Sequence, residues 1–398
     1  MTIDILKTIV LSIGSFFAHP LLYIGLIVIF LMAGRRVKRE RASFHTRVYG
    51  RIADLVIPFW PSIITGVIVS IVTIALGLVF TLPMLIVICL AYIVTFLTAQ
   101  VRWMSPAFAL GAVLLVLAFK PFGGFLDEYG VFSTLYLDAV QIPLYYVAVL
   151  IALLVIAEGV LIQKNGSIYT SPHIQRSKRG KWVGLHDVRR LWIVPVCLFI
   201  PEGIIPSFSY WPVFSLGETS FQPLIVPFLI GFQQSVRSTL PQQHIRLMGQ
   251  RVVVLGLVLA LLAVVSYFEP YVAVILGAIA IIFRELLWVL AKHLDEARPS
   301  YFAVRPTGCV VLGIIPGSPA EKMEIKVGET IVKVNGQPVK DETSFYEALQ
   351  RNSAFCKLDV LDEAGEVRFA QGALYDGEHH QLGVLVVRQD IELQDSVI

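Results

Sequence analysis

The sequence predicts a polytopic α-helical membrane domain of roughly seven to nine spans, followed by a small α/β domain. Three observations point there. Hydrophobic residues make up 56% of the chain and charged residues only 15%, with a mean hydropathy of +0.74. Soluble domains carry about 25% charged residues. Apolar runs recur at close to the ~20 residues that a helix needs to cross a bilayer core. Near Arg298-Pro299 this character stops, and a segment of mixed polarity begins.

The first apolar stretch begins at Ile5 and carries His19-Pro20 in its middle. That predicts either one kinked, tilted helix or an interfacial helix followed by a span. It lacks a small-residue cleavage site, and basic residues follow rather than precede it, so it reads as a span and not a cleaved signal. Spans are expected at Phe16–Gly34, Trp60–Phe80, Leu82–Val101, Pro106–Leu126, Ala139–Ile162, Val252–Phe268 and Tyr271–Leu290. The region Leu191–Phe232 is apolar but interrupted by Pro195, Pro201, Pro206, Pro212, Pro223 and Pro227. It reads as two short spans or as a re-entrant hairpin buried among neighbours.

Loop charge sets the orientation. The loops at 35–51, 163–190 and 234–251 are basic, whereas Asp127, Glu128 and Asp138 mark one alternate loop and Glu269-Pro270 another. The positive-inside rule makes the basic loops and the C-terminal module cytosolic, with the N-terminus outside unless Ile5–Phe17 spans separately. In the first loop Arg35, Arg36, Lys38, Arg39, Arg41 and Arg47 are the topology-setting residues. The alternative use for them is contact with anionic lipid or a protein partner, worth roughly 1 kcal/mol per basic residue near an anionic surface. The domains are then a membrane unit at 1–294, a linker at 295–300, a module at 301–392 and a short tail at 393–398.

No catalytic pattern is present. The eight histidines include His379 and His380 but form no HExxH, and GxSxG and phosphate-loop signatures are absent. Cys89, Cys197, Cys309 and Cys356 form no CxxC and read as free thiols. Neither a metal, a cofactor nor a nucleic-acid partner is expected, and the protein reads as a non-enzyme. Lys120, Glu158, Glu202, Arg284 and Glu285 lie in or near apolar runs. Such charges mark transport pathways in some membrane proteins. They keep open an alternative, a transporter-like or signalling membrane protein regulated by its soluble module.

In the module, Cys309–Ile315 is a strand, Pro316-Gly317 a turn, and Ser318 with Glu321 a capping box that opens a short helix at Pro319–Met323. Thr330–Val334 is a strand that ends in the turn dipeptide Asn335-Gly336. Ser344 and Glu347 form a second capping box for a helix ending near Arg351. Strands follow at Cys356–Leu361, Glu366–Ala370 and Leu382–Val387.

PGSPAEK, KVGETIVKVNGQPV and the FYEAL helix resemble the core of a bacterial PDZ domain. The expected fold is therefore a polytopic helical membrane domain followed by a small cytosolic α/β PDZ domain. Such domains bind an extended peptide by strand addition, with pockets supplying selectivity. Phe345 and Leu349 are the pocket candidates, and both also suit the domain core. YFAVRPTG lacks the usual glycine-containing carboxylate loop; Leu382, Gly383 and Val384 supply a candidate groove edge if the domain is permuted.

The architecture, the KRERASFHTRVY segment, the RRLWIVP entry and a single C-terminal PDZ resemble the MinJ family of division-site topology factors. That resemblance implies a non-enzymatic adaptor linking a DivIVA-like pole protein to a MinD-like ATPase. It also implies contacts with late divisome membrane proteins and enrichment at poles and septum. Homo-oligomerisation is left open.

Overall fold

The apolar runs fold as helices wherever proline does not interrupt them. The computed structural model describes residues 2–119, 130–177, 180–213, 220–352, 355–374 and 382–387. Lys120, Asp127, Glu128, His379, His380 and the tail 393–398 lie outside these. Nine helices precede the module among the described residues: α1 (Thr2–Ala18), α2 (Pro20–Phe44), α3 (Ala53–Leu76), α4 (Leu82–Leu97), α5 (Pro106–Ala118), α6 (Val131–Val140), α7 (Leu144–Asn165), α8 (Pro241–Phe268) and α9 (Tyr271–Ala297). Five of them, α2, α3, α7, α8 and α9, are long and apolar enough to cross a membrane. Helices α4 and α5 span 16 and 13 residues, shorter than the spans expected there.

Three boundaries differ from expectation. The first apolar stretch is two helices: His19 is extended at ψ 129° and its Nδ1 accepts the Leu21 N–H, so Pro20 starts α2. Proline has no N–H to lose at that position. Pro143 likewise separates α6 from α7 within the expected span Ala139–Ile162. Helix α9 continues to Ala297, so residues 295–297 are helical rather than linker.

The proline-broken region is not a pair of helical spans; it is a hairpin buried among its neighbours, and its arms are strands. It is a long antiparallel β-ribbon of β2 (Trp182–Pro206) and β3 (Ser220–Val236), with β1 (Ser171–Arg176) on the outer side of β2. The spaced prolines forbid a continuous helix, whereas the register sets Pro195 opposite Pro227 and Phe199 opposite Pro223. Val194, Val196, Leu198, Phe228, Leu229 and Ile230 are buried at 0–1% exposure, so the ribbon is the core of the helical unit.

A ribbon inside an apolar bundle leaves two unpaired edges, and backbone groups cannot stay unsatisfied there. Helix hydroxyls satisfy several of these groups. Ser12 donates to Pro223 O at 2.7 Å, and Ser15 accepts the Ile225 N–H at 3.1 Å. On the other edge Thr73 donates to Cys197 O at 2.6 Å, and Ser70 accepts the Cys197 N–H at 2.9 Å. Gly66 permits this approach, because a Cβ there would sit 2.4 Å from Pro195 O. The ribbon follows α3 from Asp54, bonded to Arg190, to Ile74, whose carbonyl takes the Trp211 indole N–H.

The module is a sheet in the order β8-β7-β5-β4-β9, with β6 (Gln337–Pro338) paired to β5. Its strands are β4 (Cys309–Ile314), β5 (Thr330–Val334), β7 (Phe355–Leu361), β8 (Val367–Ala373) and β9 (Val384–Val386); its helices are α10 (Pro319–Lys322) and α11 (Glu342–Gln350). It is not tethered loosely. Phe302, Val310, Leu312, Leu385 and Val387 form one buried cluster with Phe44, Val48, Ile174 and Leu240 of the helical unit. Two backbone bonds stitch the join: Gly184 N–H to Phe302 O at 2.7 Å and Tyr301 N–H to Arg237 O at 2.8 Å.

Candidate functional site

The candidate peptide site is built from α11 and β9. Helix α11 begins three residues earlier than the Ser344 box implies. Asp341 is its N-cap, its carboxylate accepting the Ser344 N–H at 2.8 Å while Ser344 Oγ accepts the Asp341 N–H at 3.1 Å. Ser344 is therefore the N3 partner of the box rather than its cap, and Glu347 takes no part. Those hydrogen bonds hold the Asp341 carboxyl below the usual carboxylate range. At α10, Ser318 occupies the cap position without a side-chain bond; Glu321 instead accepts the Gly317 N–H at 2.6 Å.

Phe345 and Leu349, on one face of α11, are exposed by only 1% and 0%. They share a buried cluster with Leu382 and Val384. Four of the five groove candidates are thus brought together, and all four side chains fill the PDZ core. Gly383, the fifth, sits at φ +86°, where a Cβ would lie 2.2 Å from the Ser318 Cβ. Only glycine fits there. Its carbonyl accepts the Ile315 N–H at 2.9 Å, and the Leu382 carbonyl accepts the Ala320 N–H at 3.0 Å. These bonds lock the turn that feeds β9. Strand β9 pairs with β4 alone among the described residues. Burial pushes the thiols of Cys309 and Cys356 up to about 12, which keeps both protonated and unreactive.

The basic residues of the first loop separate into two groups. Arg35 through Arg41 lie on α2, not on a loop. Arg35, Lys38, Arg41 and Arg47 are exposed. Arg36 is not a surface residue: it is 7% exposed and donates to Asp54 at 2.9 Å, Glu40 at 2.8 Å and the Gly50 carbonyl at 2.8 Å. Glu40 also accepts the Val48 N–H and the Ser171 hydroxyl, each at 2.8 Å. Arg190 of β2 reaches Asp54 at 3.2 Å and the Tyr169 carbonyl at 2.9 Å. This network ties α2, α3 and the ribbon together, and burial makes it costly to open. Arg39 pairs with Asp187. Burial would raise Asp187, yet the Ser235 hydroxyl, His173, Arg39 and Arg189 outweigh it and hold the carboxyl below its ordinary value.

Sequence reasoning missed Glu40, Asp54, Asp187 and Asp295. Each is an acid amid apolar or basic neighbours, which is the only local signal it gives. Asp295 accepts the N–H groups of Arg237 at 3.1 Å and Ser238 at 3.0 Å, fixing the exit of β3.

Comparison with known proteins agrees with this layout. A PDZ domain family model matches residues 310–360. The chain is 37% identical over 391 residues to the cell division topological determinant MinJ of Bacillus subtilis (strain 168), covering 98% of this chain and 96% of that protein. It is 24% identical over 386 residues to a probable cell division topological determinant MinJ of Lacticaseibacillus paracasei, covering 93% and 95%. A 76-residue stretch is 36% identical to the serine protease HTRA3 of Mus musculus, 19% of this chain and 16% of that one. The protease likeness is thus confined to a fraction of the chain, while the division-protein likeness runs end to end. The chain belongs to the MinJ family of cell division topological determinants.

Proposed function

We propose that the protein is a non-enzymatic membrane scaffold of the Min division-site selection system. In this reading it links a DivIVA-like pole protein to a MinD-like ATPase and so restricts Z-ring assembly at poles and old septa. Its helical unit crosses the membrane roughly seven to nine times, its PDZ domain faces the cytosol, and it concentrates at poles and septum. The observation that carries the reading is the end-to-end similarity to a division topological determinant. Support also comes from the PDZ domain seated at one end of the apolar helices, beside exposed Arg35, Lys38, Arg41 and Arg47.

A partner segment would add to β9, along Leu382, Gly383 and Val384, with Phe345 and Leu349 beneath it. The exposed basic residues would meet anionic lipid or an acidic partner. Two observations weigh against a transport pathway through Arg284: its guanidinium is 1% exposed and donates to Glu158 at 2.8 Å.

The test is a fluorescent fusion of the full chain, followed through division, with a pull-down comparing the full chain to one ending at Arg298. That end point keeps Asp295 on Arg237 and Ser238. Polar and septal fluorescence, with filaments or minicells on depletion, is the expected result. Uniform peripheral fluorescence with normal cell length would refute it. Partners kept by the shorter chain bind the helical unit rather than the PDZ domain.

A further inference from the structure

A cavity of about 440 Å³ lies at the PDZ-side end of the helical unit, between α2, β1, β2, β3 and α9. Sites for small ligands run from about 300 to 1,000 Å³. Four cations from four separate parts of the chain line it: Arg39, Arg189, Arg237 and Lys292.

Three acids also face it, Asp187, Asp295 and Glu296. Two of them have their oxygens engaged within the protein. Asp187 accepts from the Ser235 hydroxyl, from Arg39, and from Arg189 at 3.4 Å. Asp295 accepts two backbone N–H groups and the Ser238 hydroxyl at 2.6 Å. Glu296 takes Arg237 Nη2 through its backbone carbonyl at 2.5 Å. The cations keep donors to spare. Arg189 Nε and Arg237 Nε are buried with no hydrogen-bond partner among the described residues. Lys292 pairs with no carboxylate among them and lies 5.2 Å over the Trp288 ring. Burial, then the nearby Arg39, hold Arg189 below its ordinary value, as expected where positive charge is in excess.

Depth supplies the last constraint. By the helical rise, Trp288 lies about 26 Å from the start of α9, and Arg39 about 28 Å from the start of α2. A hydrocarbon core is about 30 Å thick, so the cavity sits where a bilayer's phosphates begin.

We propose that this cavity binds the phosphate of a glycerophosphate group, with Arg39, Arg189 and Lys292 holding it. The same chemistry arrives from two sources, a glycerophospholipid headgroup or a soluble glycerol phosphate. Charge-assisted bonds from converging guanidinium and ammonium groups are the strong contacts in either case.

The experiment uses the full chain. In detergent it is titrated with glycerol 3-phosphate. In nanodiscs of phosphatidylcholine, with and without phosphatidylglycerol, retained lipid is counted by native mass spectrometry. Binding of either probe supports the site, and which one binds identifies the source. Lys292→Gln and Arg189→Gln are each expected to weaken binding about tenfold or more. Lys340→Gln, exposed on the PDZ domain and outside the cavity, is expected to leave it unchanged. Lys292 is exposed at the cavity rim, so its substitution leaves the fold in place and carries the test if Arg189→Gln does not fold. The proposal is overturned if neither probe binds, or if Lys292→Gln binds the probe as tightly as the parent.

Discussion

At the scale of single residues, two charges buried in the apolar bundle are held as a pair. Glu158 of α7 and Arg284 of α9 are 0% and 1% exposed, and Arg284 Nε donates to Glu158 Oε1 at 2.8 Å. The Ser105 hydroxyl takes the second carboxylate oxygen. Removing one member strands the other charge, a loss of about 3–5 kcal/mol, whereas replacing both with apolar residues of similar volume is close to neutral. Thermal unfolding in detergent is therefore expected to show a large drop for Glu158→Leu and for Arg284→Met alone. Most of that drop should be recovered in the double variant; equal losses in all three would refute the pairing. The two charges were legible in sequence but their pairing was not, since Glu158 and Arg284 stand 126 positions apart. Arg36 failed for the same reason. Its neighbours in the chain are basic, and the partners that bury it include Asp54 across a turn and, through Asp54, Arg190 on the ribbon.

At the scale of elements, local chemistry decided what could be read. The PDZ strands and the Asn335-Gly336 turn were legible because turn dipeptides and alternation act over a few residues. The ribbon was not, because a continuous apolar run looks the same as a buried strand or a buried helix. Its prolines excluded a helix, but only the hydroxyls of α1 and α3 show why strands are tolerated in an apolar bundle. Thr73 is the sharpest case. Its hydroxyl donates to Cys197 O at 2.6 Å and the residue is 0% exposed. Thr73→Val keeps the shape and leaves that carbonyl without its donor, at a cost of about 1–3 kcal/mol. Thr98 is the control, since its hydroxyl donates to Thr95 O and accepts the Gln100 N–H at 3.4 Å, with no partner on the ribbon. Thr98→Val is expected to stay within about 0.5 kcal/mol of the parent. Similar midpoints for the two variants in detergent unfolding would show that the ribbon edge does not depend on Thr73.

At the scale of the whole molecule, the question is whether the PDZ domain moves as a free module or as part of the helical unit. The change of composition near Arg298 suggested a linker, but Phe302 is 0% exposed and sits in a cluster drawn from both units. His186 lies at that join. Its ring is 5.0 Å from the Phe302 ring, and its Nδ1 is 2.7 Å from the Thr170 hydroxyl. Burial, with His173 adding to it, pulls His186 down from 6.5 to about 3 against the opposing pull of the Leu312 carbonyl and Asp187. The docked state therefore holds a neutral imidazole, while an undocked one, with Phe302 and Leu312 gone, takes a proton near the ordinary value. Docking is at full strength above about pH 6.5 and weakens as pH falls from there toward about 3, by up to about 1.4 kcal/mol per unit. The Gly184 and Tyr301 amides report it directly, because both donate across the join. Hydrogen exchange of these two amides, corrected for the intrinsic rate, is expected to accelerate between pH 7 and pH 5 by a factor of roughly ten or more. His186→Phe removes the titrating group and should flatten that dependence. Exchange that stays pH-independent in the parent chain would mean that the PDZ domain does not leave the helical unit by exposing His186.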